Sequence, residues 1–225
     1  MGTRPGDVVD AAELSRRVTA ASRGVDSDHF VMRFSGLTVE GDISLRRGRF
    51  AARETATLHG AHVEMIVIDS RAWVRAPLLT RGRWVTARSG GLDRLSRALQ
   101  PMFDEVTQLE KGEQVRRQVT GTVSRGATRM VGGVLLTEYI AHPTAKDVLD
   151  AMPQEEADEI RTREINGISA HVWVDGSFLP RTLTSTVTVS GTQYVTRLDL
   201  SRFGERVTIA PPVPGSTTPL PPLEA

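Results

Sequence analysis

Short stretches in which large apolar residues alternate with other residues recur along this chain, with tight turns between them. Residues 30–34 and 39–45 each place their large side chains on one face of an extended strand. Residues 46–49 then reverse the chain, and residues 50–58 return it. Connections this short join neighbouring antiparallel strands, so the sequence predicts an antiparallel meander.

Helical segments interrupt this series of strands. A helix is predicted over residues 10–22, with Asp10 as its cap, Glu13 in the first turn and Gly24 just beyond its end in a left-handed conformation. Residues 92–102 and 145–160 also carry apolar side chains at helical spacing. Further strands are predicted at residues 63–68, 72–74, 115–123, 131–141, 169–174, 181–189, 193–200 and 207–209. A long antiparallel sheet must curl or be covered, and the two helical segments between its strands are suited to cover it.

The length of 225 residues fits one domain with one core. We divide the chain into a flexible lead at residues 1–9, a folded domain at 10–210 and a proline-rich tail at 211–225. The tail carries six of the 12 prolines, which cannot join the interior of a sheet, and it is predicted to be extended.

Composition excludes several classes of function. The formal charge of +1 lacks the basic excess of a nucleic-acid-binding protein. The absence of cysteine excludes disulfides, thiolate metal sites and cysteine nucleophiles. No apolar stretch approaches the roughly 20 residues of a membrane span. The opening residues are polar and do not form an export signal.

Three segments carry a resemblance to a known family. Residues 131–139 (VGGVLLTEY), followed by the AKDVL helix at 145–149, resemble one phrase of the mycobacterial lipoproteins LppX, LprG, LprA and LprF. Residues 170–181 (AHVWVDGSFLPR) resemble the hairpin of that family, and residues 198–212 resemble its last strand pair. The family is similar in fold to the lipoprotein carriers LolA and LolB and to the sensor RseB. The resemblance implies an α+β fold, in which a single curled antiparallel sheet forms a half-barrel and helices cover its concave face.

The resemblance also implies a function and a location. Proteins of this type hold the acyl chains of lipids or glycolipids in an apolar cavity, outside the cytoplasmic membrane, on a lipidated cysteine. We expect this chain to be the exported part of such a lipoprotein, without its signal peptide and lipobox cysteine. Its expected partners are an acylated lipid or glycolipid, the membrane surface reached through that anchor, and an envelope protein; no nucleic acid and no cofactor are expected. The alternative is an envelope sensor or interaction module of the same fold, with a small or filled cavity.

A lipid cavity needs apolar walls that leave space between them. The predicted cavity residues are the apolar side chains of the strands and of the covering helices: Phe30, Met32, Phe34, Ile43, Leu45, Met65, Val67, Val74, Leu95, Leu99, Met102, Leu136, Leu149, Met152, Val172, Val174, Leu183, Val187 and Leu198. The competing interpretation is that these side chains pack together as a solid core.

Other polar motifs have simpler interpretations. His59, His62 and Glu64 have the spacing of a weak metal motif, but His62 and Glu64 alone share a strand face, and exposed histidines are the alternative. His171 is expected on the outer face of its strand. No metal site, nucleophile elbow, phosphate loop or metalloprotease motif is predicted, so we expect no enzyme and no catalytic residue.

The clearest basic cluster is formed by Arg46, Arg47 and Arg49. It is either a solvated hairpin turn or a contact for anionic lipid heads.

Overall fold

The computed structural model describes residues 4–58, 60–91, 96–97, 119–150 and 165–218. The helices in these residues are α1 (Ala11–Arg23), α2 (Pro77–Thr80) and α3 (Ala145–Asp150). The strands are β1 (Val8–Val9), β2 (Ser27–Phe34), β3 (Leu37–Ser44), β4 (Ala51–Leu58), β5 (Ala61–Ile68), β6 (Arg71–Arg75), β7 (Trp84–Arg88), β8 (Thr122–Val131), β9 (Val134–His142), β10 (Ile165–Val174), β11 (Pro180–Val189), β12 (Thr192–Ser201) and β13 (Thr217–Thr218).

The chain divides into two compact units. Unit 1 comprises residues 1–24 and 111–200, and unit 2 comprises residues 25–110 and 201–225. Each unit therefore combines two separate stretches of the sequence. None of the helices in the described parts of the chain is long and apolar enough to cross a bilayer.

The strands of unit 1 follow the order β1-β8-β9-β10-β11-β12, and every pairing is antiparallel. Helix α1 belongs to this unit and begins where the sequence predicts. The Asp10 carboxylate accepts hydrogen bonds from the N–H groups of Ala12 at 2.9 Å and Glu13 at 3.2 Å. Gly24 ends the helix in the right-handed region at φ −78°, so the left-handed cap expected there is not used.

The strands of unit 2 follow the order β2-β3-β4-β5-β6-β7-β13. All neighbours are antiparallel except β13, which pairs in parallel with β7 through Thr217 to Trp84 and Thr218 to Val85. Gly41 has a steric role, because a side chain there would collide with the backbone carbonyl of Arg53 on β4.

Two-residue turns connect several of the hairpins. Ser190 and Gly191 lie at φ 48° and 77° between β11 and β12, and Gly132 and Gly133 at 55° and 80° between β8 and β9. Two successive positive φ angles are typical of a type I′ turn, whose twist matches that of the strands it joins. The turn predicted at residues 46–49 contains one turn of 3-10 helix at Arg46–Gly48.

Some predicted elements differ in the structure. Residues 207–209 are not a strand, and strand β7 has no counterpart in the prediction. The strand predicted at 131–141 corresponds to β9 at Val134–His142, and its first residue, Val131, instead ends β8, since Gly132 and Gly133 form the turn between them. Residues 96–97 are helical, as predicted, but the rest of the helix predicted at 92–102 and most of the one at 145–160 lie outside the described residues.

Candidate functional site

The apolar face of unit 2 brings eight of the 19 predicted cavity residues together. Strand register aligns Met32 with Val39, Val39 with Ala56, and Ala56 with Val63. Because side chains alternate along a strand, residues two positions apart join the same face. The predicted residues on this face are Phe30, Met32, Phe34, Ile43, Met65, Val67 and Val74. Leu45 follows β3 and packs against the same side.

The exposed fraction of the side chains on this face increases from one end to the other. Val67 is fully buried, Phe30 and Val74 are buried, Met32 and Met65 are half-buried, and Phe34 is 40% exposed. The face is therefore closed at the Val67 end and open to solvent at the Phe34 end.

Small side chains dominate the closed end. A cross-strand row passes from Ile43 through Ala52, Val67 and Ala72 to Ala87. The three alanines are at most 1% exposed and form one buried cluster with Phe50. Sequence reasoning missed the three alanines because it selected large alternating side chains; the alternation of small side chains with polar residues was the signal. It also did not assign Phe50, which precedes β4, to this face.

The predicted residues of unit 1 have a different environment. Val172, Val174 and Leu183 are at most 3% exposed and form one cluster with Leu14 and Val18 of α1. This part of the sheet is therefore packed against the protein's own helix.

The remaining predicted strand residues of unit 1 separate into two groups. Leu198 packs against the same cluster as Leu183, and register places Val187 on the same face. Leu136 is also buried, but it pairs with Arg129 and lies on the opposite face.

Most of the predicted covering residues cannot be placed. Leu95, Leu99, Met102 and Met152 lie outside the described residues. Leu149 is half-buried in α3. The lid formed by these helices therefore stays a prediction.

Two carboxylates lie on the apolar face of unit 2: Glu54, which register places between Gly41 and Met65, and Asp28. Asp28 pairs in register with Ile43 and lies two residues before Phe30. Its Oδ1 is buried and has no hydrogen-bond partner among the described residues. Burial raises the pKa of Asp28 to about 6, against an opposing effect of His29 and a further increase from Asp42.

The carboxylate of Asp175, in the hairpin of unit 1, accepts hydrogen bonds at both oxygens. Asp175 Oδ2 accepts from Arg181 Nη2 at 2.8 Å, and Oδ1 accepts from the N–H groups of Ser177 at 2.9 Å and Leu179 at 3.1 Å. Although burial acts to raise it, the hydrogen bonds from Arg181, Ser177 and Leu179 lower the pKa of Asp175. The hairpin expected from the resemblance at residues 170–181 is thus a turn organised around one carboxylate.

The polar motifs fall into ordinary pairs. Glu64 binds Arg75, and His62 is exposed with Nδ1 3.1 Å from the Thr57 hydroxyl. His59 lies outside the described residues, and those residues contain no cluster of three potential metal ligands. His171 is 37% exposed and lies 2.8 Å from Glu138 Oε1.

The fold defined by these strands and helices is similar to that of two mycobacterial proteins of known structure. LprF from Mycobacterium bovis aligns with a TM-score of 0.62 and 16% identity over 90% of this chain and 96% of its own. The Mycobacterium tuberculosis lipoprotein LppX aligns with a TM-score of 0.58 and 19% identity over 90% of this chain and all of its own. The sequence matches no protein-family model and no curated protein. The expected α+β fold, built on a large antiparallel sheet of the LolA/LppX type, is therefore confirmed.

Proposed function

We propose that this protein binds acylated lipids or glycolipids in an apolar cavity and transports them within the cell envelope. The observation that carries this proposal is the aligned apolar face of unit 2, closed at Val67 and open at Phe34. Each acyl methylene removed from water contributes about 0.8 kcal/mol, so such a face holds a lipid through its chains. The fold shared with LprF and with the lipoprotein LppX supports the proposal.

The remaining parts of the proposal follow from this activity. Binding and release of a lipid break no covalent bond, so the protein acts without enzymatic chemistry. The site is on the outer side of the cytoplasmic membrane, where a lipid anchor preceding this chain holds the protein at the membrane surface. The half-buried side chains Met32 and Met65 suit ligands of variable shape, because methionine is unbranched and flexible.

A matched pair of substitutions on β2 tests the proposal. Met32 and Val31 are neighbouring half-buried residues on opposite faces of the strand. Met32→Trp places bulk on the apolar face and is expected to lower the affinity for a fluorescent fatty acid about tenfold, the cost of losing roughly two buried methylenes. Val31→Trp is expected to leave that affinity unchanged.

The ligand itself is tested on the full chain. Organic extraction and native mass spectrometry of gently purified protein are expected to reveal a bound acylated lipid. Absence of such a lipid together with no uptake of the fluorescent fatty acid contradicts carriage, as does an equal loss in both tryptophan variants.

A second function, that of an envelope sensor or interaction module, is favoured by one separate observation. The tip of the β8–β9 hairpin exposes four apolar side chains: Met130 at 63%, Val131 at 49%, Val134 at 36% and Leu135 at 56%. Contiguous exposed apolar groups are typical of an interaction surface. If this function is correct, replacing Met130 and Leu135 by serine abolishes cross-linking to a partner in intact cells and leaves fatty-acid uptake unchanged.

A further inference from the structure

Unit 2 contains a cavity of about 580 Å³ beside the β3–β4 and β5–β6 turns. Its floor is a cross-strand row that passes from Ser44 through Ala51 and Ile68 to Arg71. These residues alternate with Ile43, Ala52, Val67 and Ala72, which form the closed end of the apolar face. The floor of the cavity therefore faces away from the proposed lipid-binding face, although Phe50 lines the cavity and also packs in the buried cluster at the closed end of that face.

Positive charge dominates the polar lining of this cavity. Arg46, Arg49 and Arg71 line it with a single carboxylate, that of Asp69. Arg49 Nη2 donates to Asp69 Oδ2 at 2.8 Å, and Nε donates to the same oxygen at 3.2 Å. One of three guanidinium groups is thus neutralised within the cavity, which leaves an excess of two positive charges.

One donor in this lining lacks an acceptor. The Nε atom of Arg46 is buried and has no hydrogen-bond partner within the described part of the chain. Leaving a buried donor unsatisfied is unfavourable, and more so when the donor belongs to a charged group. An anionic oxygen in the cavity would satisfy this N–H and offset the excess charge.

The rest of the lining is largely apolar. Ile68 and the half-buried Trp73 come from the sheet, and Ile209 and Pro211 come from the segment that follows β12. A cavity that combines guanidinium groups with an aromatic ring fits a ligand with both a charged and an uncharged part.

The segment that supplies Ile209 and Pro211 is fixed on both sides of the cavity. Before it, the Gly204 N–H donates to the Ser27 carbonyl at 2.8 Å, and the Ser27 hydroxyl donates to the Glu205 carbonyl at 2.6 Å. After it, β13 pairs with β7. This wall is therefore held in place before any ligand binds, which lowers the entropic cost of binding.

We propose that this cavity binds the phosphate ester of an organic ligand. Arg46 and Arg71 bind the phosphate oxygens, because the planar guanidinium group matches phosphate geometry. Trp73 and Ile209 contact the uncharged part of the ligand. A volume of about 580 Å³ is in the range of organic ligands, about 300–1,000 Å³, and far exceeds the need of a bare ion.

Two sources of a phosphate ester are distinguished by the choice of probe. Soluble glycerol 3-phosphate, followed by calorimetry, tests a free phosphate ester. Vesicles of phosphatidylglycerol in phosphatidylcholine, followed by co-sedimentation, test a lipid headgroup, with pure phosphatidylcholine vesicles as the neutral reference. Binding to either phosphate probe, in excess of neutral vesicles, is expected for the full chain.

Matched arginine variants decide whether the binding is at this cavity. Arg46→Gln and Arg71→Gln are each expected to weaken binding of the responding probe about tenfold or more. Arg83→Gln removes the same charge from an exposed position outside the cavity lining and is expected to change binding less than twofold. Circular dichroism checks that each variant folds. If Arg46→Gln does not fold, Arg71→Gln still decides the test, because the Arg71 side chain is exposed.

Three results overturn the proposal: no binding of either probe, equal losses in the Arg71 and Arg83 variants, or unchanged binding in folded Arg46 and Arg71 variants. None of these results bears on fatty-acid uptake at the other face, so failure here and failure of lipid carriage are distinguishable.

Discussion

The two units differ in whether their own side chains cover the buried apolar residues and pair with the buried charged groups. In unit 1, Leu14 and Val18 of α1 cover Val172, and Arg181 neutralises Asp175. In unit 2, the described members of the buried cluster come from the sheet and its turn, and Asp28 keeps an unpartnered buried oxygen.

This difference indicates which unit contributes more to the stability of the protein and which unit binds ligands. A region whose apolar groups and charges are matched internally gains stability and has little to offer a ligand. Half-buried apolar groups in register, and polar groups without partners, are the features of a surface completed by something else. We therefore expect unit 1 to contribute more to stability, and unit 2 to bind ligands.

The largest expected effect is the loss of packing in unit 1. Leu14→Ala removes a side chain that is 4% exposed and is expected to lower the free energy of unfolding by about 2–5 kcal/mol. Met65→Ala, at a half-buried position on the apolar face, is expected to lower the free energy of unfolding by about 1 kcal/mol, because a half-buried side chain contributes less buried apolar area than a fully buried one. Urea denaturation measures both, and equal losses would remove the distinction between the units.

An intermediate effect is expected at the matched carboxylate. Asp175→Ala leaves Arg181 and two backbone N–H groups without their acceptor and is expected to cost about 2–3 kcal/mol at neutral pH. Because the folded pKa of Asp175 lies below 3.8, the carboxylate contributes its stability above that pH and loses it as the pH falls through the folded pKa. The difference between wild type and variant, followed by urea denaturation, should therefore shrink in acid; a constant difference would contradict this role.

The smallest expected effect is of opposite sign and lies at the unmatched carboxylate. The folded pKa of Asp28 is about 6 and the unfolded value is 3.8, so the folded state binds the extra proton between these pH values. The contribution of Asp28 to stability therefore falls as the pH rises from about 4 to 6 and stays low above 6. Asp28→Asn is expected to stabilise the protein by about 1–2 kcal/mol at pH 7 and to remove this dependence.

Thermal denaturation across this pH range measures the Asp28 effect. Glu40→Gln is the control, because Glu40 is an exposed carboxylate on the other face of the sheet, opposite Val31. If Asp28→Asn destabilises the protein at pH 7, the Asp28 carboxylate makes a stabilising interaction and the prediction is wrong.

The sequence predicted those elements whose signal is local. The Asp10 cap and Glu13 lie at the start of α1, and the turn predicted at residues 46–49 depends on those residues alone. Strand alternation likewise predicted which side chains of β2 and β5 share a face, because the period of a strand fixes this without knowledge of its neighbours.

What the sequence could not predict depends on distant partners. Nothing near Val172 indicates that α1, more than 140 residues earlier, covers it, and nothing near Leu136 reveals the register that turns it to the opposite face. The basic cavity requires Arg46, Arg71 and Ile209 to meet, which the chain order does not suggest. Residues 207–209 show the same limit, since alternation favoured a strand although no strand forms there.

The two shortest strands each cover two residues of a strand edge. Two-residue β1 occupies the free side of β8, and two-residue β13 occupies the free side of β7, where Pro211, Pro212 and Pro214 precede it. Unpaired strand edges are templates for fibril growth, and proline cannot donate the hydrogen bonds that extend them. In a protein with exposed apolar side chains, covering these edges lowers the risk that neighbouring copies pair edge to edge at high concentration.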